Sequence, residues 1–336
     1  MKSDYMRRTH TGADKVAEFY VSCLSDRGPT SRLILYADKF IDDMDSLPFD
    51  YPMYLAEGYG HIFILLKEYY PDGESGVIAL RNDLRKVGEV LPTGGKGGCH
   101  ISLACGKVYA ANYASGTVSR VPDRVIQHEG HSVDPVRQTQ PHPHSVFPTP
   151  DEKYILCCDL GLDKIFVYTP ELELVSEVGM PAGAGPRHLC FSKCGKFVYC
   201  INEMGGSISS LSFEDGTLTL LHTVSILPEG FEGKGSGAAI KISFDGTRIY
   251  ATERASRSIV TLAAEGAKLT VLARCDCHGR EPRDFTLVGH GTFGVCTNQY
   301  SNNIAIFMID EDGIPEFFCE YNMPAPLCAM DAPADA

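Results

Sequence analysis

The stretch Pro143-His144-Ser145-Val146-Phe147, followed by Asp151-Glu152-Lys153 and then Tyr154-Ile155-Leu156-Cys157-Cys158-Asp159, reads as an apolar strand, a tight turn and a second apolar strand. The same form recurs around Cys105-Gly106-Lys107, Cys194-Gly195-Lys196, Asp245-Gly246-Thr247 and His290-Gly291-Thr292. From the middle residue of one turn to the next, the separations are 46, 43, 51 and 45 residues. Glycine supplies the positive φ a tight hairpin favours, and aspartate caps such turns. A second set of turns, Asp215-Gly216, Glu265-Gly266 and Asp312-Gly313, falls about one period apart in the outer half of the units. Two hairpins per period make four strands per unit, with a period in the range of propeller blades.

Six units begin near residues 52, 98, 142, 186, 238 and 282, the earliest carrying Met53-Tyr54-Leu55-Ala56 and His61 to Leu66. The N-terminus adds only the fragments Glu18 to Cys23 and Arg32 to Ile41, and the C-terminus adds the lone candidate strand Leu327 to Met330. Joined, they make a seventh blade closed by both ends of the chain, which removes the open sheet edge of a linear array. The expected fold is therefore all-β: a seven-bladed β-propeller of four-stranded antiparallel blades. It forms one domain over residues 1–336, with blades from about 17 to 330.

Bulk composition agrees. Hydrophobic residues make up 44% of 336, enough for a large core, and 33 glycines with 20 prolines suit many short strands joined by turns. The formal charge of −13 argues against a nucleic-acid or anionic-membrane surface. Thirteen cysteines are an odd number at irregular spacing, several inside apolar runs such as Phe197-Val198-Tyr199-Cys200. They read as small buried hydrophobes in a reducing compartment. Met1 to Lys15 lacks the apolar core of a signal peptide, and the clean apolar run Ile62 to Leu66 is far too short to span a membrane. The cytoplasm is the expected compartment.

Stacking the units on their turns aligns polar positions. The entries to the first strands read Cys99-His100-Ile101, Pro143-His144-Ser145, Arg187-His188-Leu189 and Arg283-Asp284-Phe285, with His100, His144 and His188 spaced 44 apart. The second strands close on Lys67-Glu68, Asn112-Tyr113, Asp159-Leu160, Asn202-Glu203, Glu253-Arg254 and Asn298-Gln299. First strands start, and second strands end, at the same face, so both columns converge around the central channel. Asn112, Asp159, Asn202 and Asn298 fit the role of satisfying backbone groups in the loops between blades. Arginines gathered at strand ends are costly to bury without an anionic partner, so Arg187, Arg254, Arg283, His144 and Glu203 point to function.

These same residues carry a family resemblance. Cys99-His100-Ile101-Ser102, Ala111-Asn112-Tyr113-Ala114-Ser115-Gly116, Pro141-His142-Pro143-His144-Ser145-Val146, Gly185-Pro186-Arg187-His188 and Asn202-Glu203 resemble the lactonase family of seven-bladed propellers. That family includes propeller-type 6-phosphogluconolactonases and carboxy-cis,cis-muconate cyclases. The resemblance implies His144, Arg187, Glu203 and Arg254 as the catalytic set. Arg283, His100, Asn112, Tyr113, His142 and His188, in or beside the stacked polar columns, are the candidates for substrate contact. The unit near residue 52 departs from the pattern, with Lys67-Glu68 where relatives show Asn-Glu.

The implied substrate is a small phosphorylated or carboxylated lactone, 6-phosphogluconolactone first, with no cofactor. Lactone hydrolysis needs an activated water, a cradle for the oxyanion and a proton for the leaving alkoxide. Glu203 or His144 is the candidate base, Arg187 or Arg254 the oxyanion donor, and the remaining arginines an anion clamp. A muconate-type lactonizing cyclase would use the same clamps in the opposite sense, and a non-catalytic scaffold is the third reading. A metal on the histidine column is disfavoured by the flanking arginines, and Cys275-x-Cys277-His278 lacks a matching second pair.

Overall fold

Proline or glycine opens the innermost strand of every blade. These strands are Pro52–Gly58, Gly98–Ala104, Pro143–Pro148, Pro186–Phe191, Gly237–Ile242, Pro282–Val288 and Pro326–Asp331. Proline is tolerated there because the first residue of a strand need not donate to the ladder. The computed structural model describes residues 13–25 and 28–333, and within them 28 strands form seven antiparallel sheets of four. Residues 1–12, where the expected non-signal start lies, fall outside the described residues. No helix among the described residues is long and apolar enough to cross a membrane.

Blade 1 is built from both ends of the chain. Pro326–Asp331 is its innermost strand and pairs antiparallel with Lys15–Cys23, while Gly28–Tyr36 and Ile41–Phe49 complete the sheet. Blades 2 to 7 each take four consecutive strands. Each innermost strand packs beside its two neighbours, so seven of them ring the channel.

The core lies between blades rather than in one centre. Leu156, Cys158, Ile165 and Val167 of blade 4 meet Leu189, Val198, Cys200 and Leu211 of blade 5. Tyr199, Ile201 and Ile208 of blade 5 meet Ile240, Ile249, Ala251 and Val260 of blade 6. Phe19, Val21 and Leu33 meet Val288, Val295 and Ile304, so the closing blade shares in the same packing. The middle strands are thus covered on both faces, and each buried aliphatic or aromatic side chain stabilises by about 1.5–3 kcal/mol.

A tyrosine on the second strand of four blades ties each to the next. The hydroxyls of Tyr20, Tyr109, Tyr199 and Tyr250 donate to the carbonyls of Asn82, Pro170, Gly266 and Gly313, each in an outer turn of the following blade, at 2.7–3.0 Å. The aromatic body fills the interface while its polar tip finds an acceptor at the rim.

Candidate active site

One residue past its first pair, every innermost strand carries an irregularity in register. In blades 1 to 5 and 7 it sets one residue aside: Leu327, Met53, Cys99, His144, Arg187 and Arg283 respectively. Blade 6 shifts between Gly237 and Ile240, which leaves Ala238 in the corresponding place. A bulge frees a residue from the ladder and re-aims its side chain. The seven bulges therefore form a ring at one mouth of the channel.

A second ring lies directly above. Leu24, Lys67, Tyr113, Leu160, Glu203, Arg254 and Gln299 follow the second strands of the seven blades. The backbone N–H of each donates to the carbonyl just before its own innermost strand, at 2.7–3.1 Å. The repeated bond fixes the exit of one strand against the entry of the other, so both rings face one space.

That space is a cavity of about 460 Å³ lined by Met53, Lys67, Cys99, Tyr113, His144, Glu203, Arg254 and Arg283, with Arg137 and Glu281 joining from loops. Glu203 is its hub. Its Oε2 receives Arg187 Nε at 3.1 Å and Arg254 Nη2 at 3.1 Å, with His144 Nε2 at 3.8 Å. Its Oε1 receives Arg137 Nη2 at 2.7 Å. Arg254 also pairs with Glu281 at 3.2 Å, while Arg187 donates to the carbonyl of Ala238 at 2.6 Å. Arg283 has no ion-pair partner among the described residues.

The electrostatics follow from this crowding. Burial alone would raise the proton affinity of Glu203, but Arg254, His144, Arg187 and Arg137 outweigh it and hold the carboxyl well below its usual range. Burial, reinforced by the Arg187 charge, pushes the His144 imidazole well below 6.5, so it stands neutral. Arg187 is pushed down to about 10 by burial, against the pull of Glu203. Burial pushes the Cys99 thiol up to about 12, which removes it as a nucleophile.

His144, Glu203, Arg254, Arg283 and Tyr113 line the cavity, and Arg187 lies just beneath, on a void shared with Arg283, Asp284 and His188. The even 44-residue spacing suggests one histidine column, and this is corrected. Gly98 to Pro143 is 45 residues and Pro143 to Pro186 is 43, so His144 occupies the bulge while His100 and His188 fall one position later. These two are buried inside the channel, their rings 5.1 Å apart and packed against Tyr54 and Phe147. Neither lines the cavity.

Asn112 is likewise absent from the cavity wall, donating within blade 3 to Thr117 and Ser119. His142 stacks on Tyr113 at 4.1 Å and bonds its carbonyl, so it backs the wall. The register also moves Lys67. Leu66, not Lys67, is the counterpart of Asn112, and Lys67 belongs with Glu203 and Arg254 in the upper ring.

Arg137 was not among the sequence candidates. It stands on residues 128–142, the longest connection between blades, between strands Arg124–Gln127 and Pro143–Pro148. That length was the available signal, since long ordered loops on rigid scaffolds often carry function. At the start of the same loop His128 bonds Asp159 at 2.6 Å and the hydroxyl of Tyr168 at 2.7 Å, and His278 stacks on Phe317. A shallower depression of about 270 Å³ between Phe244, Asp245, His290 and Asp312 lies at the opposite end of the blades.

The model of the family described as lactonase, 7-bladed beta-propeller, matches residues 46–329. An uncharacterized protein of Staphylococcus saprophyticus is 32% identical over 198 residues, 57% of each chain. The 6-phosphogluconolactonase of Bacillus subtilis is 29% identical over 287 residues, covering 78% of this chain and 81% of that one. The solved structure of the Pseudomonas aeruginosa periplasmic gluconolactonase PpgL superposes with a TM-score of 0.86 at 26% identity, over 94% of this chain and 99% of that one. The chain belongs to the lactonase family of seven-bladed β-propellers and is, by that membership, an enzyme of the lactone-hydrolase class.

Proposed function

We propose that this enzyme opens an anionic sugar lactone, 6-phosphogluconolactone in the first place, by adding water to the ring carbonyl. The carrying observation is the charge balance of the cavity. Lys67, Arg137, Arg254 and Arg283 line the cavity against two carboxylates, Glu203 and Glu281, with Arg187 and Asp284 just beneath, and Arg283 is left without an ion-pair partner among the described residues. Such a site favours a ligand carrying more than one negative charge, and its size suits a small molecule. Likeness to the Bacillus subtilis 6-phosphogluconolactonase supports the phosphorylated substrate, and likeness to the Pseudomonas aeruginosa gluconolactonase supports the unphosphorylated one as runner-up.

In the proposed mechanism neutral His144 takes a proton from the attacking water, and Glu203, 3.8 Å away, stabilises the imidazolium that forms. Arg187 and Arg254 are positioned to stabilise the tetrahedral oxyanion. The protonated His144, made a strong acid by its surroundings, returns the proton to the ring oxygen as the C–O bond breaks. Arg283 and Lys67 hold the phosphate. The cytoplasm is the proposed compartment, supported by thirteen free cysteines.

The experiment is to offer 6-phosphogluconolactone, unphosphorylated aldonolactones and muconolactones side by side, corrected for spontaneous hydrolysis. The phosphorylated lactone should be turned over fastest. Preference for a muconolactone would replace the proposal with the lactonizing cyclase, and no acceleration of any would leave a binding scaffold.

A further inference from the structure

Three arginines contact Glu203, and they are not equivalent. Arg187 and Arg254 take Oε2 and are almost inaccessible, their side chains 3% and 9% exposed. Arg137 takes Oε1, also touches the Tyr113 hydroxyl at 3.4 Å, and is 45% exposed at the mouth. Of these three, Arg137 is the one an anion entering the cavity meets first. The loop beneath it does not need to move. His128 is held by Asp159 and Tyr168, Ser132 bonds Asp163, Gln138 donates to the carbonyl of Leu160, and Asp134 accepts from the backbone of Val136 and Arg137. The Arg137 side chain can therefore swing while the loop stays anchored, a motion of the ps–ns class.

We infer that Arg137 is a positioning residue that trades Glu203 for the anionic group of the substrate, so that substrate charge itself frees Oε1 of Glu203. The inference rests on the lactone-hydrolase reading above. The groups facing Glu203 are Arg187 from blade 5, Arg254 from blade 6, His144 from blade 4, Arg137 from the loop and, farther off, Arg283 from blade 7. With all of them in place the carboxylate is over-neutralised and gives His144 little support as a base. Removing the one mobile cation strengthens the Glu203–His144 pair. An anionic substrate therefore gains in kcat as well as in binding, because the interaction is redistributed on the way to the transition state. A neutral lactone leaves Arg137 on Glu203.

The test compares Arg137→Gln with the unaltered enzyme in two independent ways. Calorimetry with inorganic phosphate reads binding without turnover, and the variant should bind about ten- to a hundredfold more weakly. Kinetics with phosphorylated and unphosphorylated gluconolactones should show the kcat preference for the phosphorylated one shrinking. For the unphosphorylated lactone, the acid limb of kcat should move to higher pH. Unchanged phosphate affinity, or an equal loss on both substrates with an unmoved pH limb, would overturn the inference. If the unaltered enzyme binds phosphate through Arg137 but hydrolyses neither lactone, the hydrolase reading fails with it while the anion contact stands.

Discussion

Arg187 Nε lies 3.1 Å from Glu203 Oε2, and the pair bridges the entry and exit of the two inner strands of blade 5. The contact is both structural and chemical. Arg187 also reaches the Ala238 carbonyl of blade 6, so the same guanidinium links two blades. Breaking a buried ion pair by removing one partner leaves the other charge unmatched, which typically costs about 3–5 kcal/mol.

Glu203→Gln should therefore lose both activity and stability. Turnover of the best lactone should fall by about 10²–10⁴-fold, and unfolding in urea should move to lower denaturant. His144→Gln should lose comparable activity at much smaller cost in stability, because that histidine is neutral in the fold. Steady-state kinetics with denaturation curves on both variants separate the roles. Equal, small kinetic losses would remove the pair from the chemistry.

Arg283→Ala should act on recognition. Its guanidinium has no carboxylate to leave behind among the described residues, so the fold should tolerate the change. KM for a phosphorylated lactone should rise about ten- to a hundredfold, and KM for its unphosphorylated counterpart much less. Parallel changes in the two values would assign Arg283 to packing instead of the phosphate.

Stability should fall steeply on acidification below about pH 6.5. His100, His144 and His188 are each held well below 6.5 by burial first and then by cations, Arg187 for His144 and His188 and Lys241 for His100. In the folded enzyme they stay neutral, while in the unfolded chain they take protons below 6.5. The unfolded state then binds more protons, and folding free energy is lost as pH drops. Three such groups give a slope approaching about 4 kcal/mol per pH unit. Urea midpoints between pH 7.5 and 5.5 measure it, and His188→Gln should remove about a third of the slope. A flat profile would mean that these imidazoles protonate in place.

Deleting residues 325–336 should abolish cooperative folding. Pro326–Asp331 is the innermost strand of blade 1, and without it Lys15–Cys23 becomes an open edge. The bonds of Leu327 and Ala329 to Thr297 and Asp284 of blade 7 would go as well. Loss of soluble protein or of a sharp thermal transition is the expected result, and an unchanged melting curve would show that the ring does not need its closure.

Much of the molecule was legible in the chain because hairpin turns and strand-opening prolines are local. The turns at Gly106, Gly195, Gly246 and Gly291 take positive φ, as such hairpins require, and the blades begin where the repeat places them. The lone strand near Leu327 could be assigned to blade 1 because the two fragments at the other end left a blade incomplete, and the structure supplies three strands there with Pro326–Asp331 as the fourth. The chemistry of the site was legible as residue types, since Arg, Glu and His at strand ends are expensive unless they act together.

Depth and partnership belonged to the tertiary structure alone. A bulge adds one residue and turns the next side chain elsewhere, so spacing cannot say which of two neighbours faces the cavity. His144 and Lys67 were displaced by one position because the blade spacing is uneven, 46, 45 and 43 residues from Pro52 through Gly98 and Pro143 to Pro186, and His100 and His188 proved to fill the channel. Nor does local sequence say which arginine meets which carboxylate across blades. Arg137 reaches Glu203 over 66 residues of chain, from a loop outside the repeat. The sequence by itself determined a seven-bladed ring with a cationic mouth. Only its closure in space made Glu203 the hub of that mouth and left Arg283 unpaired within the described structure, because those relations are set by distances between blades that no period encodes.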